Sequence, residues 1–332
     1  MGSQRLREAP VDAALATWGE RWLARRPAGS NARLYVGFSG GLDSVVLLHA
    51  TWRWLAERVQ GGGAGERDAQ AAAVTLVPVH INHGVAAAAE HWAQHCCTFS
   101  AGLGLRCQVF HAPPLDAGRG FEARARAARY GHFSELLDQP ADSLLLAHHR
   151  DDQSETLLLR LFQGRGLLPI PGRRPLGAGT LERPLLRLER NVLATYAERF
   201  ELPAIEDPGN ADTQHERNYL RHVVLPRVRE RWPQADQALD RVAARSSEAQ
   251  RLLEQLLGQR AALEIEELTG ELALPLLRAW LHARGEHRAA DRALEEFLRQ
   301  LASPVDRAPE LRLPGGCLRR RGQTVIWEPA SD

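Results

Sequence analysis

The sequence has no lysine. All 42 of its strongly basic residues are arginine; 41 acidic residues leave a formal net charge of +1. Methionine occurs only at position 1, and isoleucine and asparagine occur five times each, which points to a bias of base composition. A Walker-type phosphate loop and a pyridoxal Schiff base both need a lysine side chain, so neither can be built. Any nucleotide phosphates must be held by backbone amides and arginines.

Long apolar runs and cysteine pairs are also lacking. No apolar run reaches the roughly 18 residues that span a bilayer, and residues 1–10 are polar where a signal peptide is apolar. We therefore expect a cytoplasmic protein with no membrane partner. Cys96, Cys97, Cys107 and Cys317 form no CxxC motif, so reduced thiols are expected rather than a disulfide framework or a thiolate metal site.

The apolar residues predict an α/β fold. With 44% hydrophobic residues in 332, the chain is long enough for one large domain and a smaller one. Apolar strands alternate with helices of about 10 to 17 residues, which favours a parallel, five-stranded-type sheet with helices on both faces. The predicted strands that can be read directly are residues 34–38, 74–81, 106–111 and 143–147.

After Asp207 the pattern changes to long helices rich in arginine and glutamate. The predicted elements there are helices within 217–263, near 272–283 and near 293–301, and a hairpin pair at 310–327. We therefore predict two domains, residues 1–214 and 215–332, the second smaller and mainly helical.

Two glycine-rich segments are predicted to be loops. Residues 61–73 (GGGAGERDAQAAA) are rich in glycine and alanine and are expected to be a mobile loop. Residues 164–179 (GRGLLPIPGRRPLGAG) suit a flap that faces the substrate.

The hexapeptide SGGLDS follows the first predicted strand and is the strongest motif. Its glycines allow a sharp turn with amides close to a ligand, its hydroxyls add donors, and the following helix N-terminus favours an anion. Asp43 would repel a bare phosphate, so we expect it to bind Mg²⁺ or to orient the loop. The alternative is a plain strand-to-helix turn capped by Asp43 or Ser44. The predicted phosphate-binding residues are Ser39, Gly40, Gly41, Leu42, Asp43 and Ser44.

Two further motifs follow predicted strands, at the same edge of the sheet. His80-Ile81-Asn82-His83-Gly84 could hold zinc, but its histidines lie on different faces of a strand end, so hydrogen bonding to a ribose or base is preferred. His148, His149, Asp151 and Asp152 exceed what a helix cap needs, although the spacing of Asp152 and Glu155 suits a cap. A metal site and a general base both remain open for this cluster.

Arginine-rich helices supply the positive charge. Glu122, Arg126 and Arg129 share one helical face, which suits either solvent or a negatively charged substrate with a developing pyrophosphate. Residues 217–231 hold five arginines and one acid, which indicates either a phosphodiester-binding surface or a solvated helix. The predicted RNA-contacting residues are Arg217, Asn218, Arg221 and Arg227.

These motifs carry a family resemblance. SGGLDS resembles the SGGxDS signature of the PP-loop ATP pyrophosphatases, which adenylate a substrate and release pyrophosphate. The ordered set of HINHG, EARARAARY, AHHRDDQSET, RPLL, DPGNAD and RNYLR resembles the tRNA(Ile)-lysidine synthases over residues 34 to about 226. Gly209 stands where that family has serine, and Gly164-Arg165-Gly166 replaces its R-G-S-G.

The resemblance implies a fold and a reaction. The fold would be that of the adenine nucleotide alpha-hydrolases. ATP with Mg²⁺ would adenylate C2 of the wobble cytidine in a CAU-anticodon tRNA(Ile), and the ε-amino group of free L-lysine would displace AMP. Longer members carry a domain for the acceptor stem, which we expect this chain to lack; a homodimer is left open.

The resemblance also implies residue roles. Asp152, with Asp151 or Glu122 as alternates, would take a proton from lysine, and Asp43 and Asp152 would hold Mg²⁺. His148 or His149 would orient ribose or phosphate, and Arg126 and Arg129 would stabilise charge on the phosphates.

Two other functions are considered. A PP-loop tRNA 2-thiolating enzyme is disfavoured because no CxxC motif is present. A regulatory domain that holds ATP without turnover would leave the histidine–aspartate cluster and the arginine helix without a role.

Overall fold

The apolar run ahead of SGGLDS forms the central strand of the first sheet. In the computed structural model β1 (Ala32–Gly37) is buried along most of its length, as expected for a parallel strand covered on both faces. The structure describes residues 10–26, 30–60, 66–82, 89–111, 121–286, 289–302 and 309–330.

Six strands make up this sheet. The others are β2 (Val74–Asn82), β3 (Gln108–His111), β4 (Ser143–Leu145), β5 (Arg173–Leu176) and β6 (Gly179–Glu182). Their order is β3-β2-β1-β4-β6-β5. The first five strands in this order are parallel, which confirms the predicted five-stranded parallel sheet, and β5 is an antiparallel strand at its edge.

Helices cover both faces of the sheet. They are α1 (Pro10–Ala24), α2 (Leu42–Gln60), α3 (Glu66–Ala72), α4 (Ala89–Gly102), α5 (Phe121–Leu136), α6 (Arg150–Phe162) and α7 (Arg190–Arg199). Because side chains alternate along a strand, Leu34 and Val36 enter the core with α1, α2 and α7, whereas Tyr35 packs in the core that holds Phe133 of α5.

Both predicted loops contain regular structure, so these two predictions are wrong in part. Helix α3 occupies much of residues 61–73, of which 61–65 lie outside the described part. Strand β5 lies inside the predicted flap and forms a hairpin with β6. Gly177 turns the hairpin with φ of 56°, and a side chain there would collide with the carbonyl oxygens of Ser134 and Leu137. Close packing against α5 therefore replaces a free loop.

The arginine-rich segment is not one continuous helix. It contains a 3₁₀ turn (Pro208–Ala211), α8 (Glu216–Tyr219), a π-helical turn (Leu220–Val224), α9 (Leu225–Arg231) and α10 (Ala235–Gly258). Pro226 lies in the first turn of α9, where its missing N–H costs least. Pro233 follows the end of α9, and the residue before a proline disfavours helical conformation.

The chain divides into two compact units. One holds residues 1–165 and 169–240, and the other holds residues 166–168 and 241–332. Residues 215–240 thus belong to the first unit, whereas the sequence predicted a division after residue 214; that division into catalytic and tRNA-contacting domains stays a prediction.

The second unit combines helices with an antiparallel sheet. Its remaining elements are β7 (Ala262–Glu264), a 3₁₀ turn (Ile265–Leu268), α11 (Ala273–His282), α12 (Asp291–Leu301), β8 (Glu310–Leu313), β9 (Gly316–Arg321) and β10 (Thr324–Pro329). The strand order is β7-β10-β9-β8. Trp280 and Phe297 are buried in its core. The predicted hairpin pair corresponds to β8, β9 and β10, and the added β7 makes the unit less helical than expected.

Across the described ranges, none of the helices is both long enough and apolar enough to cross a membrane.

Candidate active site

The order of the strands creates a crevice beside β1. The chain runs outward from β1 to β2 and β3, then returns to place β4 on the other side of β1. Loops at the carboxyl ends of β1 and β4 therefore separate, and ligands of open α/β sheets bind in such a crevice. The SGGLDS loop follows β1, and the segment from His148 to Asp152 follows β4, so the topology brings the two strongest motifs together.

Hydrogen bonds among its own residues fix the conformation of the SGGLDS loop. Ser39 N donates to Ser44 Oγ (3.2 Å), Gly41 N donates to Ser39 Oγ (3.3 Å), and Ser44 Oγ donates to the Gly41 carbonyl (2.9 Å). Gly40 has φ of 82°, and a Cβ there would lie 3.2 Å from Cys96 Sγ. Helix α2 begins at Leu42, and the amides of a first helical turn have no acceptor within the helix. The loop can therefore bind a phosphate without a lysine.

Three carboxylates surround one buried imidazole, and we call this set the acidic centre. His149 Nε2 lies 3.5 Å from an oxygen of Asp43 and 3.5 Å from one of Asp152, and its Nδ1 lies 3.9 Å from Asp151. Burial by itself disfavours the protonated ring, but the three carboxylates outweigh it and raise the pKa of His149. All three aspartates lie in first helical turns, where the helix dipole favours negative charge.

The residues of the acidic centre fit the predicted magnesium site. Asp43 Oδ1 is buried and has no hydrogen-bond partner among the described residues. Asp152 Oδ2 faces the same imidazole nitrogen as Asp43 Oδ2. No group of three ligand-type side chains that could hold a metal occurs in the described ranges. Mg²⁺ commonly takes only one or two carboxylates and completes its shell with phosphates and water. The donors therefore suit an ion that accompanies ATP.

Arg217 and Arg221 form ion pairs with Glu155, a fully buried carboxylate of α6. Arg217 Nε donates to Glu155 Oε2 (2.7 Å) and Arg221 Nε donates to Glu155 Oε1 (2.6 Å). Both guanidinium groups also approach Asp152 Oδ1, at 3.3 and 3.6 Å. The pKa of Arg221 is raised because these carboxylates outweigh the effect of its burial. Carboxylates of the protein therefore neutralise much of the charge of these two arginines.

Four arginines lie around His148 and Tyr130, and we call this set the arginine cluster: Arg126, Arg129, Arg174 and Arg183. Arg183 Nε donates to His148 Nδ1 (3.2 Å), so that nitrogen must be unprotonated. Burial and the neighbouring arginines lower the pKa of His148 to about 3. The ring is therefore neutral at neutral pH.

Tyr130 joins the members of the arginine cluster. Arg126 Nη2 donates to Tyr130 Oη (3.3 Å), and the guanidinium groups of Arg126 and Arg174 each lie 4.9 Å from the ring centre. Burial favours the neutral phenol, but Arg126, Arg183 and Arg174 reverse this effect and lower the pKa of Tyr130. Burial also lowers the pKa of Arg129 and of Arg183. So many cations in one place suit an anionic ligand.

The other predicted site residues lie in different surroundings. Asn218 Nδ2 donates to the carbonyls of Gly209 and Asp212 (both 2.9 Å), so it holds the 3₁₀ turn in place. The Arg227 side chain is 83% exposed and meets Glu230 at 3.4 Å. Their contact with tRNA stays a prediction.

His80 and Asn82, which belong to the described part of the HINHG motif, are buried in the protein. His80 Nδ1 lies 2.9 Å from the Phe38 carbonyl, and burial lowers the pKa of His80. Asn82 Nδ2 donates to Glu90 (2.9 Å). His83 and Gly84 lie outside the described residues, as does the side chain of Glu122. The predicted contact with ribose or base is not tested by this arrangement.

Several residues that the structure brings to the site were not predicted as site residues. Glu155, Tyr130 and Arg183 lie inside motifs that the sequence analysis had singled out. Their membership of these motifs could have marked them as site residues. Arg174 had no such signal, because it lies in the segment that was predicted to be a loop.

Two family models match the chain. One, described as a PP-loop domain, matches residues 20–228. The other, described as a TilS substrate binding domain, matches residues 261–326.

Curated relatives are similar over much of the chain. A tRNA(Ile)-lysidine synthase of Alkalilimnicola ehrlichii is 39% identical over 89% of this chain and 66% of its own length. That of Pseudomonas putida is 45% identical over 69% of this chain and 51% of its own length. That of Pseudomonas syringae pv. tomato is 38% identical, with shares of 89% and 68%. The chain spans about half to two thirds of the length of these relatives.

A solved structure shares the fold. The U34-tRNA thiolase NcsA of Methanococcus maripaludis, solved with its [4Fe-4S] cluster, superposes with a TM-score of 0.51 at 14% identity and covers 70% of this chain and 79% of its own. At this identity the likeness concerns the fold alone.

Proposed function

The chain belongs to the tRNA(Ile)-lysidine synthase family of PP-loop proteins, and from this membership we propose that it ligates L-lysine to C2 of the wobble cytidine in CAU-anticodon tRNA(Ile). ATP is the co-substrate, and AMP and pyrophosphate are the other products. The observation that carries the proposal is the meeting of the SGGLDS loop, the acidic centre and the arginine cluster at one crevice, because each suits a different part of this reaction.

The first step activates the base. The C2 oxygen of the cytidine attacks the α-phosphorus of ATP, the bond to the β-phosphate breaks, and pyrophosphate leaves. The SGGLDS amides and hydroxyls bind the phosphates, and the arginine cluster stabilises the negative charge that builds on the leaving group. Asp43 and Asp152 would hold Mg²⁺, which would add positive charge beside the phosphates.

The second step forms the carbon–nitrogen bond. The ε-amino group attacks C2, the bond from C2 to the adenylate oxygen breaks, and AMP leaves. Free lysine has a side-chain pKa of about 10.4, so the amine must lose a proton before or during attack. Asp152 is the proposed proton acceptor, with Asp151 and Glu122 as the alternates. His149 lies between Asp43, Asp151 and Asp152 and orients them, and neutral His148 can hydrogen-bond to ribose or phosphate.

The proposal is tested with the purified chain, ATP, L-lysine and a tRNA(Ile) transcript with a CAU anticodon. We expect AMP and pyrophosphate to form only when tRNA is present, and nuclease digestion followed by mass spectrometry to show cytidine carrying lysine. Reactions without lysine and with a tRNA(Met) transcript are the controls. ATP cleavage that ignores tRNA, or modified tRNA that contains sulfur, would refute the proposal.

The thiolation alternative is not favoured. The curated relatives are named for lysidine synthesis, whereas the thiolase is similar only in fold. Of the four cysteines, Cys96 is buried against His80, and burial raises the pKa of both Cys96 and Cys107. Such thiols are poor nucleophiles. A cytoplasmic location and a homodimer stay predictions.

A further inference from the structure

A groove of about 440 Å³ runs along the carboxyl-terminal half of α6. One wall is formed by Leu159, Phe162 and Gln163, and the other by residues between Thr213 and Val224, including Tyr219. Gln163 Nε2 donates to Glu216 across the two walls (3.4 Å). Leu220 is buried beneath the groove and packs against Leu159 and Val224. We call this feature the α6–α8 groove.

Two aromatic rings are exposed in the groove. Phe162 is 68% exposed and Tyr219 is 48% exposed. Aromatic residues make up only 6% of the chain. Among the described Phe, Tyr and Trp residues, the strongly exposed ones are these two and Trp232. Because Phe162 and Tyr219 both line the α6–α8 groove, the groove offers two exposed ring faces to planar groups.

The groove lies in line with the candidate active site. Asp152, Glu155, Leu159 and Phe162 follow one another at helical spacings of three and four, so they share one face of α6. Leu159 and Phe162 lie about 10 and 15 Å along the helix from Asp152. A stacked single strand advances about 3.4 Å per nucleotide, so this distance corresponds to roughly three or four nucleotides.

Among the described residues the groove is lined by one charged residue, Glu216, and cations lie on the helix that follows it. No arginine lines the groove among the described residues. Arg227 and Arg231, three and seven residues beyond Val224, are both exposed on α9. The groove thus offers ring faces and amide groups, which suit nucleobases, and the neighbouring helix offers cations, which suit phosphates.

We propose that the α6–α8 groove is a base-stacking site for unpaired nucleotides that flank the modified cytidine. Phe162 and Tyr219 stack on the bases, and Gln163 hydrogen-bonds to a base edge. The inference rests on the proposed function for the identity of the RNA, but it concerns a surface separate from the residues that bind ATP.

The test measures binding of a fluorescently labelled anticodon stem-loop RNA by anisotropy, without ATP or lysine. We expect Phe162→Ala and Tyr219→Ala each to raise the Kd by about tenfold or more, because they remove a stacking partner. Phe162→Tyr and Tyr219→Phe keep the rings and should bind within about twofold of the parent protein. A fully paired RNA of the same length should bind all variants equally.

Leu161→Ala is the matched control. Leu161 is 49% exposed and adjacent to Phe162, but it does not line the groove. Equal loss in Leu161→Ala and Phe162→Ala, or unchanged binding in both alanine variants of the groove, would overturn the proposal. A shift of the Phe162→Ala protein from dimer to monomer in sedimentation would assign the groove to a second copy of the chain instead.

The outcomes separate this inference from the proposed reaction. RNA binding that depends on the two rings, in a chain that forms no lysidine, would refute the reaction and keep the groove. Lysidine formation with an unchanged KM for tRNA in both alanine variants would refute the groove and keep the reaction.

Discussion

Two adjacent histidines of the crevice lie in opposite electrostatic surroundings. His149 is enclosed by Asp43, Asp151 and Asp152, which raise its pKa. His148 accepts a hydrogen bond from Arg183 and lies near Arg217, Arg126 and Arg129, and burial together with these cations lowers its pKa to about 3. Two consecutive residues therefore differ in charge preference: the surroundings of His149 favour the protonated ring, and those of His148 favour the neutral ring.

The difference indicates that the two sides of the crevice suit different parts of the ligands. The acidic centre can take a cation and accept a proton, and the arginine cluster can take anionic phosphates. The proposed reaction needs both kinds of charge, because it combines adenylyl transfer to a base with attack of an amine. His148 and His149 are consecutive residues after the carboxyl end of β4, and their side chains point to different clusters.

Loss of a carboxylate from the acidic centre should have the largest effect. We expect Asp43→Asn and Asp152→Asn each to reduce tRNA-dependent AMP formation about 100-fold or more, because each removes a charge at the reacting phosphates or amine. Rates are measured by AMP release, with circular dichroism to show that the fold is kept.

Asp138→Asn is the control for this comparison. Asp138 is exposed and pairs with Arg33 away from the crevice. Near-normal rates in both Asp43→Asn and Asp152→Asn would show that the acidic centre is not the reaction site.

Single charge changes should move the two histidines independently. Arg126→Gln removes a cation near His148 and should raise the pKa of His148, whereas Asp151→Asn removes a carboxylate near His149 and should lower the pKa of His149. Both pKa values are followed by NMR of the imidazole carbons without Mg²⁺ or ATP. If either substitution shifts both rings equally, the two clusters are not electrostatically separate.

The two histidines should also affect stability at opposite ends of the pH range. The folded pKa of His148 is below the unfolded value of about 6.5, so its contribution is present above pH 6.5 and is lost as the pH falls towards 3. Between pH 7 and pH 5 this amounts to at most about 2 kcal/mol. The raised pKa of His149 gives a contribution that is fully present below about 6.5 and is lost as the pH rises through the folded value.

Urea unfolding of His148→Gln and His149→Gln in Mg²⁺-free buffer checks these signs. We expect the first variant to lose stability less steeply than the parent below pH 6.5, and the second to lose it less steeply above. Parallel pH profiles of both variants and the parent protein would contradict the opposite pKa shifts.

The smallest effect is expected on tRNA binding, from an arginine that is exposed and not held by a buried carboxylate. Arg217 and Arg221 are held by Glu155, whereas Arg227 is exposed on α9. We expect Arg227→Ala to weaken tRNA binding modestly and to reduce the slope of log K against log salt by about one, as for one lost phosphate contact. The same slope in the variant and the parent would show that the phosphates are contacted elsewhere.

Much of the fold follows from local patterns. Buried apolar runs at β1, β2 and β4 and the amphipathic helices between them were predicted because their residues are neighbours in sequence. Strand β6 (GTLE) has Leu181 as its one large apolar residue, and β5 contains two arginines and a proline, so neither has a hydrophobic period. Both are formed by pairing with each other and with β4, which no local pattern reveals.

The candidate site shows the same division. Asp43, His148, His149 and Asp152 stand in motifs at strand ends, so they could be chosen from sequence. The choice between phosphate contact and an internal role could not be made for Arg217 and Arg221, because Glu155 lies about 60 residues earlier in the chain. A charge run in sequence does not show which carboxylates neutralise it.

The sequence by itself determined that any bound phosphate must be held by amides, hydroxyls and arginines, because it contains no lysine, and it placed the predicted site residues at the ends of strands. Only the tertiary structure decided which of these groups share a charge environment. The pKa of an imidazole depends on charges within a few ångströms, and the charges around His148 and His149 come from α2, α5, α6, α8 and the segment that follows β6. Folding alone brings those elements together.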